Sequence, residues 1–201
     1  MRYKPQPSPY IEKELMEILE LRELRKDLAI RSFWNIGFFI AGFIFWIFVL
    51  ITGQMYPLEQ SKVFWLVGTF FIFPTAVIAS KVVGSDPFTK GNRLADLVGF
   101  THMSAIALSF PLVIASFVYF PEAMLLIMAI AYCIDFYVMS WAFGTRIFGV
   151  HAATRVLLYS IVWFVLPAIR ETAIPVIVAS SYIATVILIP IVRRKWLHEN
   201  A

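Results

Sequence analysis

The chain has 201 residues, of which 60% are hydrophobic, 16% aromatic and only 15% charged, with a net charge of +4 and a mean hydropathy of +0.78. Soluble domains carry about 45–50% apolar and about 25% charged residues, so this composition excludes a soluble globular protein and is typical of a bilayer protein. Nearly all of the charge stands in short blocks between long apolar runs. We therefore expect one all-α membrane domain and no separate soluble domain.

The first 31 residues are polar and precede the first apolar run. In residues 1–9, prolines alternate with polar residues, which favours an extended tail, and the segment lacks the apolar core of a removable signal peptide. Residues 10–30 place apolar residues at spacings of three and four among charged ones, which predicts an amphipathic helix. This helix either lies on the membrane surface or binds a partner, for example as a coiled coil.

Six apolar segments follow, each close to the ~20 residues that cross a hydrocarbon core. We predict a polytopic helix bundle with transmembrane helices at 32–52, 61–83, 94–118, 122–142, 147–169 and 173–192, and a basic tail at 193–201. If the N-terminus is cytoplasmic, only Lys62 and Arg170 of the 17 Lys and Arg residues lie outside. This asymmetry predicts that both termini are cytoplasmic, as in a multi-pass protein of the plasma membrane.

Two prolines, Pro74 and Pro111, fall in the middle of predicted spans. Neither can donate a hydrogen bond to the carbonyl four residues earlier, so each should kink its helix. Such a kink either provides a hinge or an open carbonyl for an ion, or is an ordinary feature of a membrane helix.

Three ionisable residues lie inside the predicted spans at about one depth: His102, Asp135 and Arg155. Arg155 belongs to the fifth span because the uncharged residues 156–169 give only about 21 Å of helix, too little to cross a bilayer. Since a charge at the centre of a span costs about 2.5–3.5 kcal/mol, we expect the three to compensate one another. We predict an Asp135–Arg155 pair beside His102.

Tyr132 and Tyr159 share helix faces with Asp135 and Arg155, and we include them in the predicted site. The site is either a proton-coupled or anion-binding site that opens to the cytoplasm, or a polar clamp that fixes helices three to five. Arg155 could also extend its side chain to the headgroups. Gly37 and Ala41 in the first span could seat a second copy of the chain or a neighbouring helix.

Familiar catalytic and cofactor motifs are missing from the sequence. It has no zinc-binding helix, no nucleophile elbow and no phosphate loop, and the single Cys133 excludes a multi-cysteine metal site. We therefore expect no metal, no cofactor and no nucleic-acid partner, and we do not expect an enzyme.

Three short stretches resemble a known family: residues 23–31 (ELRKDLAIR), 86–92 (DPFTKGN) and 121–124 (PEAM). They are similar to small bacterial integral membrane proteins known only as a domain of unknown function, over about residues 20–192. Members tend to carry a histidine in helix four a few residues before a tryptophan. Asp135, six residues before Trp141, occupies that place, which puts a role tied to the histidine in doubt. The resemblance implies a bacterial multi-pass protein and no activity.

The sequence therefore favours a membrane protein that binds or moves a small solute, ion or proton at a cytoplasm-facing site. The alternative is a structural or regulatory membrane protein that docks a partner through its N-terminal helix, and a third interpretation is an intramembrane enzyme. Changing His102 or Asp135 should abolish binding or transport, whereas docking should tolerate these changes and require residues 10–30.

Overall fold

The computed structural model describes residues 9–200, and within that range it contains helices and no strand. The predicted all-α fold class is therefore confirmed. The helices are α1 Pro9–Arg31, α2 Ile36–Met55, α3 Leu58–Thr69, α4 Ile72–Val82, α5 Arg93–Tyr119, α6 Met124–Ala131, α7 Phe136–Ala142, α8 Ile147–Val165 and α9 Arg170–Glu199. The predicted tail at residues 1–9 lies, apart from Pro9, outside the described residues.

Five helical stretches are long and apolar enough to cross a membrane: Phe33–Met55, Arg93–Tyr119, Pro121–Ala142, Ile147–Val165 and Pro167–Glu199. A sixth arises if α3 and α4, which meet at an angle of 53°, form one bent span. Each of the six predicted segments corresponds to one of these stretches, so the described chain has five or six candidate spans. The orientation with both termini inside stays a prediction.

The bend between α3 and α4 has a local cause in Pro74, which lies in the first turn of α4. Proline has no N–H for the carbonyl of Phe70, and the helix stops there. The N–H groups of Phe70 and Phe71 bond the carbonyls three residues earlier instead of four. The kink predicted at Pro74 is confirmed. By contrast, α5 runs through Pro111 without a break.

Helix α2 packs closely against both α4 and α9 because glycines stand at the contacts. A Cβ on Gly37 would lie 2.0 Å from Ser80 Oγ and 2.6 Å from the Ala76 carbonyl oxygen on α4. A Cβ on Gly42 would lie 2.5 Å from the Tyr182 ring on α9. Gly37 therefore seats a neighbouring helix, one of the two alternatives that the sequence left open.

Helix α1 has two halves with different surroundings. In the second half, residues 21–31, Leu28 and Ala29 are fully buried against the bundle, and we call this segment the cap. In the first half, Met16, Ile18 and Leu19 are exposed. The sequence pattern predicted one amphipathic helix over residues 10–30, whereas only the cap packs into the folded core.

Polar side chains, among them Asn92 and Arg193, join the cap to the rest of the bundle. Asn92, just before α5, donates from Nδ2 to the Leu24 carbonyl at 2.9 Å, and Arg193 on α9 donates to the Ala29 carbonyl. Helix α9 continues to Glu199, so residues predicted as a basic tail are helical as far as that point. The extension is what brings Arg193 to the cap.

Candidate functional site

The site is organised by a break in the stretch Pro121–Ala142, where α6 ends at Ala131 and α7 begins at Phe136. The Cys133 N–H bonds the Ile130 carbonyl at 3.1 Å, whereas a continuous α-helix would bond it to Ala129. Residues 124–142 contain no proline or glycine, so local sequence does not impose the break. Contacts with other helices must hold it.

Two side chains of α8 bond the carbonyl that the break leaves open. Arg155 Nη2 and Tyr159 Oη each donate to the Ala129 carbonyl oxygen, both at 3.3 Å. Both side chains are fully buried. Tyr159 Oη also lies 3.4 Å from Cys133 Sγ, inside the turn itself. Arg155 and Tyr159 therefore replace the missing backbone donor. In broken membrane helices, side chains of neighbouring helices commonly bond the backbone groups that the break leaves unpaired.

A chain of hydrogen bonds connects Arg155 to α9 and fixes the tautomer of His151. The Thr185 hydroxyl donates to the Ser181 carbonyl at 2.9 Å, so its oxygen accepts from His151 Nδ1, which lies 2.7 Å away. Nδ1 then carries the imidazole proton, and Nε2 accepts from Arg155 Nη1 at 3.1 Å. His151 therefore acts as a neutral acceptor for the guanidinium.

Aromatic rings provide the remaining surroundings of Arg155. Its guanidinium carbon lies 4.7 Å from the centre of the Tyr182 ring and 5.9 Å from that of Phe136. Ring faces attract a cation, most strongly where water is excluded. The Nε atom has no hydrogen-bond partner among the described residues. The charge of Arg155 is thus stabilised by rings and neutral acceptors.

The structure corrects the predicted Asp135–Arg155 pair. In residues 9–200, Arg155 has no carboxylate within 4.0 Å, and the ionisable partner of Asp135 is His102. The reason is geometric, because the break turns the start of α7 so that Asp135 meets His102 on α5.

His102 and Asp135 form the second polar cluster, with Nδ1 and Oδ2 separated by 2.5 Å. Asp135 is almost completely buried, with 3% of its side chain exposed, whereas His102 exposes 26%. The edge of the imidazole meets the Phe38 ring, with centroids 5.7 Å apart. Helices α2, α5 and α7 therefore meet around this pair, and the imidazole lies between the carboxylate and the surface of the bundle.

The five predicted site residues thus fall into separate groups. His102 contacts Asp135 at the α7 side of the break, whereas Arg155 and Tyr159 both bond the Ala129 carbonyl at its α6 side. Tyr132 is buried against the Phe45 ring, with centroids 6.3 Å apart, and its hydroxyl has no hydrogen-bond partner among the described residues. It belongs to neither cluster through a hydrogen bond.

Sequence reasoning missed three members of the Arg155 cluster: His151, Tyr182 and Thr185. His151 could have been found, because it lies four residues before Arg155 and therefore on the same helix face. Tyr182 and Thr185 lie on α9, and no spacing in the sequence relates that helix to α8. Within residues 9–200, no three His, Cys, Asp or Glu side chains are grouped as a metal ion would require.

These features define a class of protein: an all-α chain with five or six helices of membrane-crossing length and charged side chains bonded inside the bundle. The chain belongs to the family described as a family of unknown function (DUF7010), whose model matches residues 21–191. The resemblance to a domain of unknown function is therefore confirmed, with nearly the predicted limits. The chain matches no curated protein and no solved structure. A bacterial origin stays a prediction.

Proposed function

We propose that this protein binds a small cation or a proton inside the membrane at the His102–Asp135 pair, and moves it across. The observation that carries the proposal is a carboxylate with 3% exposure whose ionisable partner is a histidine that reaches the surface of the bundle. Ionisable groups inside a membrane domain are costly and usually mark an ion or proton path.

The chemistry of the pair favours a cation over an anion. An ionised Asp135 carboxylate only accepts hydrogen bonds, so His102 Nδ1 carries the proton that it donates. The other ring nitrogen, Nε2, has no hydrogen bond within the described chain and so remains available as an acceptor. An anion would need Arg155, whose guanidinium is enclosed by Tyr182, Phe136 and His151.

The broken helix offers further ligands for a cation. The turn leaves the carbonyls of Ala131 and Tyr132 without a backbone N–H donor in the described chain. Carbonyls of unwound membrane helices are common ligands for Na⁺ and for protonated groups. They lie within four residues of Asp135, so one carboxylate and backbone oxygens are available from a single segment.

We propose that the site is reached past His102, whose side chain is 26% exposed, from the α1 end of the bundle. His102 is nine residues beyond Arg93, or about 14 Å along α5. The asymmetry of the basic residues supports a cytoplasmic α1 end, in which case the site opens toward the cytoplasm of a plasma-membrane protein.

The test is a thermal-unfolding screen of the purified protein in NaCl, KCl, LiCl and choline chloride, across pH ~5 to ~8, where imidazole titrates. We expect one inorganic cation to raise the unfolding midpoint above that in choline, because a ligand that binds only the folded state stabilises it. Asp135→Asn should abolish this rise, and His102→Gln should change its pH dependence.

His198→Gln is the matched control, since His198 is exposed near the end of α9. If no cation stabilises the wild type, or if His102→Gln and His198→Gln behave alike, the proposal is wrong.

The docking alternative is favoured by the exposed Met16, Ile18 and Leu19. A chain that lacks residues 1–20 should keep the cation effect, whereas a docking protein should lose its function with that segment.

A further inference from the structure

An open groove with a volume of about 350 Å³ lies at the α1 end of the bundle, where α7 gives way to α8. It is lined by Arg25, Ser140, Trp141, Gly144, Thr145 and Arg146. Two arginines therefore face one groove, and none of the described residues that line it is acidic. The groove is separate from the His102–Asp135 and Arg155 clusters.

The two guanidinium groups lack anionic partners. Within residues 9–200, neither Arg25 nor Arg146 has a carboxylate within 4.0 Å. Arg25 donates to the carbonyls of Trp141 at 2.7 Å and Ala142 at 3.3 Å through Nη2 and Nε, which fixes its position. Its Nη1 and the whole guanidinium of Arg146 have no acceptor among the described residues, so both can donate to an anion.

The backbone adds to the positive potential of the groove. Arg146 immediately precedes α8, a helix of 19 residues, so the positive end of its dipole lies at the groove. The Thr145 hydroxyl lines the groove beside it, whereas the Ser140 hydroxyl donates to the Thr145 carbonyl at 2.5 Å and is not free to bond a ligand. Arginine with hydroxyl and helix-end donors is a combination that suits the oxygens of a phosphate.

The position of the groove indicates where such a phosphate comes from. It lies between the ends of two stretches of membrane-crossing length, Pro121–Ala142 and Ile147–Val165, and therefore at the level of the headgroups. Trp141, which lines it, is 53% exposed, as expected of a tryptophan at a membrane interface. A lipid phosphate is held at this level permanently, whereas a soluble phosphate is not.

We infer that this groove binds the phosphate of an anionic lipid headgroup through Arg25 and Arg146. The inference requires that α7 and α8 end at a membrane surface, but it does not depend on the His102–Asp135 site. The two proposals therefore fail independently.

The experiment uses the full chain purified in a neutral detergent and titrated with phosphatidylglycerol or phosphatidylcholine. Phosphatidylglycerol should raise the thermal-unfolding midpoint, and phosphatidylcholine should raise it less. In Arg146→Gln, the phosphatidylglycerol concentration for half-maximal stabilisation should rise about fivefold, the contribution expected of one basic residue at an anionic surface. Arg146 is exposed and its side chain makes no hydrogen bond in the described chain, so this variant should fold normally.

Arg194→Gln, an exposed arginine on α9 with the same loss of charge, is the matched control and should leave the titration nearly unchanged. If Arg194→Gln weakens the lipid effect as much as Arg146→Gln, diffuse charge explains it and the groove does not. If inorganic phosphate protects the wild type as well as phosphatidylglycerol does, the assignment to a lipid is overturned. Equal protection by the two lipids would also overturn it.

Discussion

Arg155 shows how a single charged residue is accommodated inside an apolar bundle without a carboxylate partner. Moving a bare charge into such an interior is very costly, and the cost falls when the donors of the charged group find acceptors. Here the acceptors are the Ala129 carbonyl and the neutral nitrogen of His151, with the Tyr182 ring across the guanidinium face. We infer that Arg155 holds the break between α6 and α7 in place by donating to the Ala129 carbonyl.

Removing the two donors to Ala129 tests this role. Tyr159→Phe should cost about 1 kcal/mol of unfolding free energy, the usual value for one hydrogen bond. Arg155→Met should cost about 2 kcal/mol, because it also leaves His151 Nε2 without a donor. The double variant should lose more than the sum, since the Ala129 carbonyl then has no donor at all.

Unfolding in mixed detergent micelles would measure these differences. Tyr137→Phe is the matched control, because Tyr137 is exposed on α7, and it should unfold like the wild type. Strict additivity of Tyr159→Phe and Arg155→Met would show that they do not share the Ala129 carbonyl.

At the scale of single residues, the sequence singled out residues that the structure places in two polar clusters, but it paired Asp135 with Arg155 instead of His102. His102, Asp135 and Arg155 stand out because charge inside a long apolar run is conspicuous, and counting helix length relates their depths. Which side of a helix each residue faces depends on the rotation of that helix in the bundle. The turn at Cys133 changes that rotation between Ala129 and Asp135, and no residue in the segment signals it.

At the scale of helices, the α3–α4 bend could be predicted from the sequence, whereas the α6–α7 break could not. The bend between α3 and α4 could be predicted, because Pro74 removes a backbone donor at a known position. The break between α6 and α7 could not, because its cause lies in Arg155 and Tyr159 on another helix. The six apolar segments themselves were predictable from length and hydropathy, which are strong signals.

The loop before α5 is fastened to the cap by charged groups outside the apolar segments. Asp86 accepts from Arg31 at 3.1 Å and from the Phe88 N–H at 3.0 Å. Burial alone would raise the pKa of Asp86, but these hydrogen bonds and the Arg31 charge together hold it below its usual value. The carboxylate therefore stays charged near neutral pH, and the bridge between Arg31 and the loop persists.

The close contact of α2 with α4 gives a prediction about glycine. Gly37→Ala should destabilise the protein by about 1–3 kcal/mol, because the new methyl group would overlap Ser80 and the backbone of Ala76. Gly99→Ala on α5 is the control, since its Cβ would have nothing within 4 Å.

Alanine is the better helix former, so Gly99→Ala should be neutral or stabilise by up to about 1 kcal/mol. Thermal unfolding of the two variants side by side provides the measurement. If Gly37→Ala were as stable as Gly99→Ala, α2 and α4 would not approach as closely as described.

At the scale of the whole molecule, both buried polar clusters lie where the broken helix α6–α7 contacts its neighbours. Its α6 end is held by α8 and α9, and its α7 end carries Asp135 toward α5 and α2. The cap closes the bundle at the end where α9 extends to Glu199. Composition and charge predicted the class of protein and its apolar segments. They did not predict which helices pack together, because one apolar helix surface can pack against almost any other.

Asp135 is partnered by His102 and not by Arg155, and a double-mutant cycle tests this pairing most directly. The free energy of unfolding in mixed micelles is measured for Asp135→Asn, His102→Gln and Arg155→Gln, singly and in pairs with Asp135→Asn. We predict a coupling of about 1 kcal/mol between Asp135 and His102, and one within about 0.5 kcal/mol of zero between Asp135 and Arg155. The opposite pattern, with Asp135 coupled to Arg155 and independent of His102, would contradict the account.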